Sequence, residues 1–409
     1  MPSFSTESGM RWRILALLFF ATTINYLDRI VFSVLIPVIR EEMHISSQQY
    51  GYLTGAFTGA YTIGFLLAGK FIDRYGTRIG YSVAIVWWSL AAALHAVSAN
   101  AFHLGFWRAM LGFGESGNFP AAIKSVAEWF PKKDRAFATG IFNAGTNVAS
   151  MLGPPLFVWL NIHFGWRACF IMTAATGFVW VVLWLVLYRK PPVQAEDVKA
   201  PTLGWLATLR YPQTWGFANA KFLTDAVWWF YLFWLPPYLF DVRKFNLQEI
   251  GWALPVIYLM ADTGSVGGGW ISGGLIRRGW QTARARKAAM ALAAVCMPIA
   301  AMAVFAPSAA LTVALISVAT AAHQAWSANL YTTVSDVFPK NAVASVTGIG
   351  GCAGGIGGFL FSAIIPGFVV QHFGYTPMFM LMGSLHLTAL FTSSFLLWRK
   401  KGTGFETAA

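Results

Sequence analysis

The run from Ile14 to Ile39 constrains this chain more than any other stretch, because its 26 residues are almost all apolar. At about 1.5 Å of rise per residue it outlasts a hydrocarbon core of roughly 30 Å, which predicts a membrane-crossing helix. It is also too long for a signal-peptide core, and no small-residue cleavage site follows it, so it is expected to remain as a span. Its middle reads Asn25-Tyr26-Leu27-Asp28-Arg29. A charge at the centre of such a helix costs roughly 2.5–3.5 kcal/mol, so these side chains must face a protein interior or a wet cavity. At about 100° per residue, Asn25, Tyr26, Asp28 and Arg29 share one arc of roughly 160°, which predicts that all four aim at one place.

The rest of the chain is built alike. With 57% hydrophobic and 11% charged residues it falls among polytopic membrane proteins, outside soluble enzymes. A net charge of +13 invites a nucleic-acid reading, but the basic residues sit at the ends of apolar runs. With the N-terminus inside, 21 of the 29 Lys and Arg fall in cytoplasmic segments and four in outer ones. That bias predicts two cytoplasmic termini and an even number of spans, and no nucleic-acid partner. Cys169, Cys296 and Cys352 lie in apolar stretches without paired spacing, so neither a disulfide nor a metal site is expected.

Hydropathy between turn and charge clusters predicts twelve spans: 12–39, 49–72, 79–98, 101–129, 136–162, 168–188, 213–241, 247–276, 286–306, 309–337, 342–371 and 375–398. The long polar interruption carries Pro191-Pro192 and reads as a cytoplasmic linker, 189–211, between six-span halves at 1–188 and 212–409. The halves resemble each other. Val126 to Ile141 and Val334 to Ile349, 208 positions apart, are identical at 8 of 16 places, with Glu128 answered by Asp336. A parallel duplication of six spans predicts a substrate site near the bilayer midplane where the repeats meet. The fold class is thus all-α: an integral membrane protein of twelve helices in two pseudo-symmetric six-helix bundles.

Between spans two and three stands Gly69-Lys70-Phe71-Ile72-Asp73-Arg74-Tyr75-Gly76-Thr77-Arg78. This matches the G-x-x-x-D-R-x-G-x-R loop of the major facilitator superfamily, and with twelve spans and the repeat the resemblance covers essentially the whole chain. It implies the major facilitator fold. It also implies that Asp73, Arg74, Arg78, Glu128, Arg135 and Asp336 form charged contacts of a cytoplasmic gate.

Further ionisable and polar residues lie inside spans. Arg108 and Glu115, seven apart, share one helix face. Gly112-Phe113-Gly114-Glu115-Ser116-Gly117 has the letters of a dinucleotide loop, but no strand precedes it. Its small residues, like Gly348 to Gly358, read as close helix contacts or bending points. Span five offers Asn143, Thr146 and Asn147; span two offers Tyr61. In span seven Lys221 and Asp225 are spaced for an ion pair, followed by Trp229, and span ten contributes His323, Gln324, Trp326, Asn329 and Tyr331. A cationic, hydroxyl- and amide-rich, aromatic-flanked region fits a small sugar-acid anion better than a lipid or a drug cation: the planar arginine fork suits a carboxylate, or equally a phosphate, and aromatic faces suit sugar C–H groups.

Asn25-Tyr26-Leu27-Asp28-Arg29, Arg108 with Glu115, and Glu128-Trp129-Phe130-Pro131 resemble the anion:cation symporter family within that superfamily. Lys221 to Asp225, Trp228 to Pro236 and His323 to Asn329 are similar to bacterial hexuronate transporters, with Ala226 standing where the pattern has proline. The resemblance implies that Asp28 and Glu115 are proton-coupling acids and that Tyr26, Arg29, Tyr61 and Arg108 surround a bound sugar acid. Because Asp28 adjoins Arg29 whereas Glu115 has no cation one turn away, Glu115 is expected to exchange protons near neutral pH. The chain is therefore expected to be a monomeric proton-coupled importer of a hexuronate in the cell inner membrane. No cofactor besides the coupling proton is expected. The rivals are a transporter of galactonate, glucarate or organic phosphate, and a transporter-like sensor. A membrane-embedded enzyme is disfavoured, because no H-E-x-x-H, G-x-S-x-G or P-loop string occurs.

Overall fold

A computed structural model describes residues 4–130, 132–189, 205–338 and 340–398, and every regular element among them is helical. In chain order these are α1 (Phe4–Met43), α2 (Ser47–Tyr75), α3 (Thr77–Leu94), α4 (Ala101–Glu115), α5 (Asn118–Trp129), α6 (Lys132–Phe164), α7 (Trp166–Leu187) and α8 (Trp205–Thr208). The second half holds α9 (Pro212–Asp241), α10 (Leu247–Arg277), α11 (Thr282–Cys296), α12 (Ile299–Met302), α13 (Ala309–Val337), α14 (Lys340–Gly358), α15 (Ile365–Phe373) and α16 (Thr376–Leu397). All twelve expected spans are helical. Six of the helices are long and apolar enough to cross a bilayer on length and composition alone, Trp166–Leu187 being the most apolar. Most of the linker lies outside the described residues.

Three expected spans are interrupted. Span nine breaks between α11 and α12 at Met297-Pro298. Span four breaks between α4 and α5, directly after Glu115, where Gly114 and Gly117 weaken the helix and Pro120 has no N–H to continue it. Span eleven passes from α14 through a π-helical segment, Phe359–Ile364, into α15, where Pro366 stands in the first turn. Between α2 and α3 the chain turns at Gly76, whose φ of +80° favours glycine. Span seven does not break at Ala226; α9 runs through that fully buried residue to its prolines, Pro236 and Pro237.

Contacts divide the chain into two compact units, and the grouping follows packing rather than chain order. The first comprises Met1–Glu196, Phe230–Leu259 and Phe359–Gly374. Lipid offers no hydrophobic drive for helix association, so close backbone approach and interhelical hydrogen bonds must hold it. A Cβ at Gly112 would lie 2.3 Å from the Phe57 carbonyl oxygen, so α4 and α2 touch at their backbones there. Indole groups add directional ties, as Trp180 Nε1 donates to the Leu17 carbonyl at 2.7 Å. Prolines create further acceptors. Pro237 and Pro366 lack the N–H that would bond Phe233 and Ser362 four residues earlier. Tyr50 Oη donates to the Phe233 carbonyl at 2.5 Å and Trp234 Nε1 to the Ser362 carbonyl at 2.8 Å.

The second unit comprises Asp197–Trp229, Met260–Gly358 and Tyr375–Ala409. Its core joins Phe217 and Ala220 of α9 to Met290 and Ala294 of α11, and to Trp326 and Leu330 of α13. Of the glycines of span eleven, Gly350, Gly354, Gly357 and Gly358 make the expected close contacts, while Gly348 and Gly351 have open space around them. A Cβ at Gly357 would meet the Phe222 carbonyl oxygen at 1.8 Å, and one at Gly354 would meet Asp225 Oδ2 at 2.2 Å.

Candidate functional site

In the first unit the polar residues of α1 divide between two directions. Asn25, Asp28 and Arg29 are all buried, Arg29 being 2% exposed. Arg29 reaches α4, where its Nε and one terminal nitrogen each lie 3.0 Å from Glu115 Oε2, and it also donates to Asn25 Oδ1 at 3.2 Å. Two aromatic rings flank the guanidinium, Tyr26 at 4.5 Å and Tyr61 at 4.8 Å. Asp28 leaves this group. It faces Trp88 of α3 and Thr173 of α7, and the Thr173 hydroxyl is committed to the Phe170 carbonyl at 3.2 Å. Both Asp28 carboxyl oxygens are buried without a hydrogen-bond partner among the described residues. The single arc expected for α1 therefore holds for Asn25, Tyr26 and Arg29 and fails for Asp28, because packing on α3 and α7 claims that edge of the helix.

The pairing of charges also departs from the sequence reading. The absence of a cation one turn from Glu115 is made good by Arg29 from another helix, whereas Asp28, beside Arg29 in sequence, has no cation paired with it among the described residues. Adjacent positions on a helix diverge by about 100°, so sequence adjacency did not predict this pairing. Glu115 Oε1 stays without a partner among the described residues.

Arg108, two turns before Glu115, is fully buried, and none of its three guanidinium nitrogens has a hydrogen-bond partner among the described residues. Its charge lies instead against ring faces: Phe57 at 4.4 Å, Phe32 at 4.8 Å and Phe233 at 6.0 Å from the guanidinium carbon. Phe57 also lies 5.4 Å from the Arg29 guanidinium and stacks on Tyr61 at 6.0 Å. Sequence reasoning missed Phe57, Phe32 and Phe233, since a phenylalanine in an apolar helix carries no sign of which neighbour it serves. The cluster thus holds two guanidiniums against one paired carboxylate, leaving the cation of Arg108 unmatched.

Asn143 is exposed, and Thr146 of α6 turns inward on its own helix, donating to the Asn143 carbonyl at 2.8 Å and approaching Asn147 Oδ1 at 3.0 Å.

In the second unit the expected ion pair is present, with Lys221 Nζ 2.6 Å from Asp225 Oδ2. Lys221 also donates to Tyr331 Oη at 2.7 Å and lies over that ring. His323 is buried, its Nδ1 3.2 Å from His386 Nε2, and the Trp228 ring stacks on it at 5.5 Å. His386 and Trp228 were not among the expected site residues. Trp326 lies edge-on to His386 at 5.4 Å, and Trp229 is half-buried against Gly358. Gln324 is half-buried. Asn329 Nδ2 donates to the Gly268 carbonyl at 3.0 Å, which ties α13 to α10.

Four of the residues expected at a gate have contacts among the described residues. Glu128 accepts from Thr77 Oγ1 at 2.8 Å and from the Tyr188 hydroxyl. Arg78 donates to the Leu185 carbonyl at 2.6 Å, and Arg74 lies over Tyr75. Asp336 pairs with Arg286 Nε at 3.1 Å, and Arg286 reaches Ser272 Oγ at 2.8 Å. The side chains of Asp73 and Arg135 lie outside the described residues.

The model of the Major Facilitator Superfamily matches residues 18–362. The Hexuronate transporter of Escherichia coli (strain K12) is 32% identical over 401 residues, covering 93% of this chain and 92% of that one. The Galacturonate transporter of Dickeya chrysanthemi is 33% identical over 281 residues, 64% of this chain and 81% of its own length. A solved bacterial homolog of the human lysosomal transporter Spinster, inward-facing and occupied, superposes with a TM-score of 0.76 at 19% identity, covering 95% and 94% of the two chains. That last likeness speaks to the fold alone.

Proposed function

The chain belongs to the Major Facilitator Superfamily, and from that premise we propose that it is a proton-coupled symporter importing a hexuronate by alternating access. It is a multi-pass membrane transporter and not an enzyme. The observation that carries the substrate reading is Arg108, a buried guanidinium with no anion and no hydrogen-bond partner among the described residues. An unmatched buried cation is costly, and a sugar-acid carboxylate is the group that would offset it through paired N–H···O bonds. Tyr26, Tyr61 and Arg29 would complete the sugar's surroundings, together with Asn143 and Asn147. Lys221, Asp225, Trp229, His323, Gln324, Trp326, Asn329 and Tyr331 are proposed as further substrate-binding residues.

Proton coupling rests on the two buried acids. Glu115 holds Arg29, and a proton on Glu115 would release that guanidinium toward the incoming carboxylate. Asp28 has no hydrogen-bonded cation among the described residues, and a buried carboxylate left so is costly, which makes it the second candidate to take up a proton. One proton per monoanion makes transport electroneutral, and each further proton gains roughly 2.3 kcal/mol per 100 mV. Import is taken to run across the inner membrane with both termini cytoplasmic, and the protein to work as a monomer with the proton as its only coupling species. The charged residues Asp73, Arg74, Arg78, Glu128, Arg135 and Asp336 are assigned to the cytoplasmic gate, and the six-span halves 1–188 and 212–409 to the moving parts.

Labelled glucuronate uptake into proteoliposomes tests this reading, with galacturonate, galactonate and glycerol phosphate as competitors. The reading expects the two hexuronates to compete strongly and glycerol phosphate weakly. Binding without accumulation would mark a sensor instead, and preferential competition by galactonate would move the substrate to the aldonates.

A further inference from the structure

Arg108 is enclosed on every side, and one of its walls comes from far along the chain. Phe32 of α1 and Phe57 of α2 cover the guanidinium, and Phe233 of α9 completes the enclosure at 6.0 Å. Phe233 is held there by a specific bond. Pro237 leaves its carbonyl without an intrahelical donor, and the Tyr50 hydroxyl of α2 supplies one at 2.5 Å. The Tyr50 ring packs on Phe32 at 5.8 Å and edge-on to Trp234 at 4.9 Å, while Trp234 Nε1 bonds the Ser362 carbonyl that Pro366 orphans. The wall of the cage and the latch that fixes α9 against α2 are thus one assembly. With Arg108 fully buried, no solute can reach its N–H groups in this conformation.

We propose that Phe233, latched through its backbone by Tyr50, is a positioning residue that seals Arg108 in an aromatic cage, so that an anion reaches this guanidinium only when α9 draws back. The inference rests on the reading of Arg108 as the carboxylate-binding group. Ring faces offset the cation while no anion is present, which keeps the empty carrier closed. Substrate and cage compete for one guanidinium, and apparent affinity is the intrinsic affinity scaled by the uncaged fraction.

The test is calorimetric titration of the purified full-length protein with glucuronate, repeated for Tyr50→Phe, Phe233→Leu and Phe233→Tyr. Tyr50→Phe removes one oxygen and keeps the ring packing, so it guards against loss of fold in Phe233→Leu. Weakening the latch or the ring should enlarge the uncaged fraction and lower Kd about 3- to 10-fold, while Phe233→Tyr keeps the parental value. In uptake assays the first two variants should show a lower KM without a higher kcat. A purely structural role would reduce the amount of active protein and leave KM unmoved. An unchanged or weakened Kd in folded Tyr50→Phe overturns the cage and leaves the transport reading standing. No glucuronate binding by the parent or any variant overturns the transport reading, and this inference with it.

Discussion

Arg29 of α1 and Glu115 of α4, 86 residues apart, form a buried ion pair in which two guanidinium nitrogens converge on one carboxylate oxygen at 3.0 Å. Asp28, the neighbour of Arg29, has no such partner among the described residues. This asymmetry makes the two acids separable by mutation.

Glu115→Gln leaves the Arg29 guanidinium buried without its counter-charge. Removing one member of a buried pair costs roughly 3–5 kcal/mol, so thermal unfolding in detergent should show a clear loss of stability. Proton-driven accumulation should disappear, while counterflow exchange of preloaded substrate continues. Retained gradient-driven uptake would remove Glu115 from the coupling mechanism.

Asp28→Asn changes a carboxyl whose oxygens have no hydrogen-bond partner among the described residues. Its cost to stability should stay below about 1 kcal/mol, because no charge is left unpaired by the change. Transport driven by a pH gradient should nevertheless fail. A melting shift as large as that of Glu115→Gln would indicate a hidden partner for Asp28.

Gly357→Ala places a methyl where the Phe222 carbonyl oxygen would be 1.8 Å away, so α14 and α9 must separate. Overpacking of this kind costs roughly 1–3 kcal/mol. Gly348→Ala, with open space around it, serves as the control and should be nearly neutral. Equal melting temperatures for the two variants would contradict the close contact.

Lys221→Met strands Asp225, and Lys221→Met with Asp225→Leu removes both charges. The double variant should recover part of the stability lost in the single one, with a coupling of about 0.5–3 kcal/mol, since the two groups sit 2.6 Å apart. Additive losses would show that the pair contributes no net stabilisation.

Much of the fold was legible because span length and apolarity are local properties of the sequence, set by the thickness of a bilayer. Gly354 and Gly357 of span eleven read correctly as close contacts, whereas Gly348 and Gly351, in the same stretch, face open space. Partners across helices were not legible. Glu115 looked cation-free because Arg29 comes from another helix, and Asp28 looked paired because its neighbour in sequence is an arginine. The break after Glu115 had signals in Gly114, Gly117 and Pro120. Phe57, which touches both arginines, had none.

The central claim is that inward proton flow and sugar-acid entry are one event. Reconstituted protein should acidify the lumen of vesicles when external glucuronate is added without any imposed gradient, and should do so little or not at all as Asp28→Asn or Glu115→Gln. Glucuronate entry at an unchanged internal pH in the parent protein would contradict it.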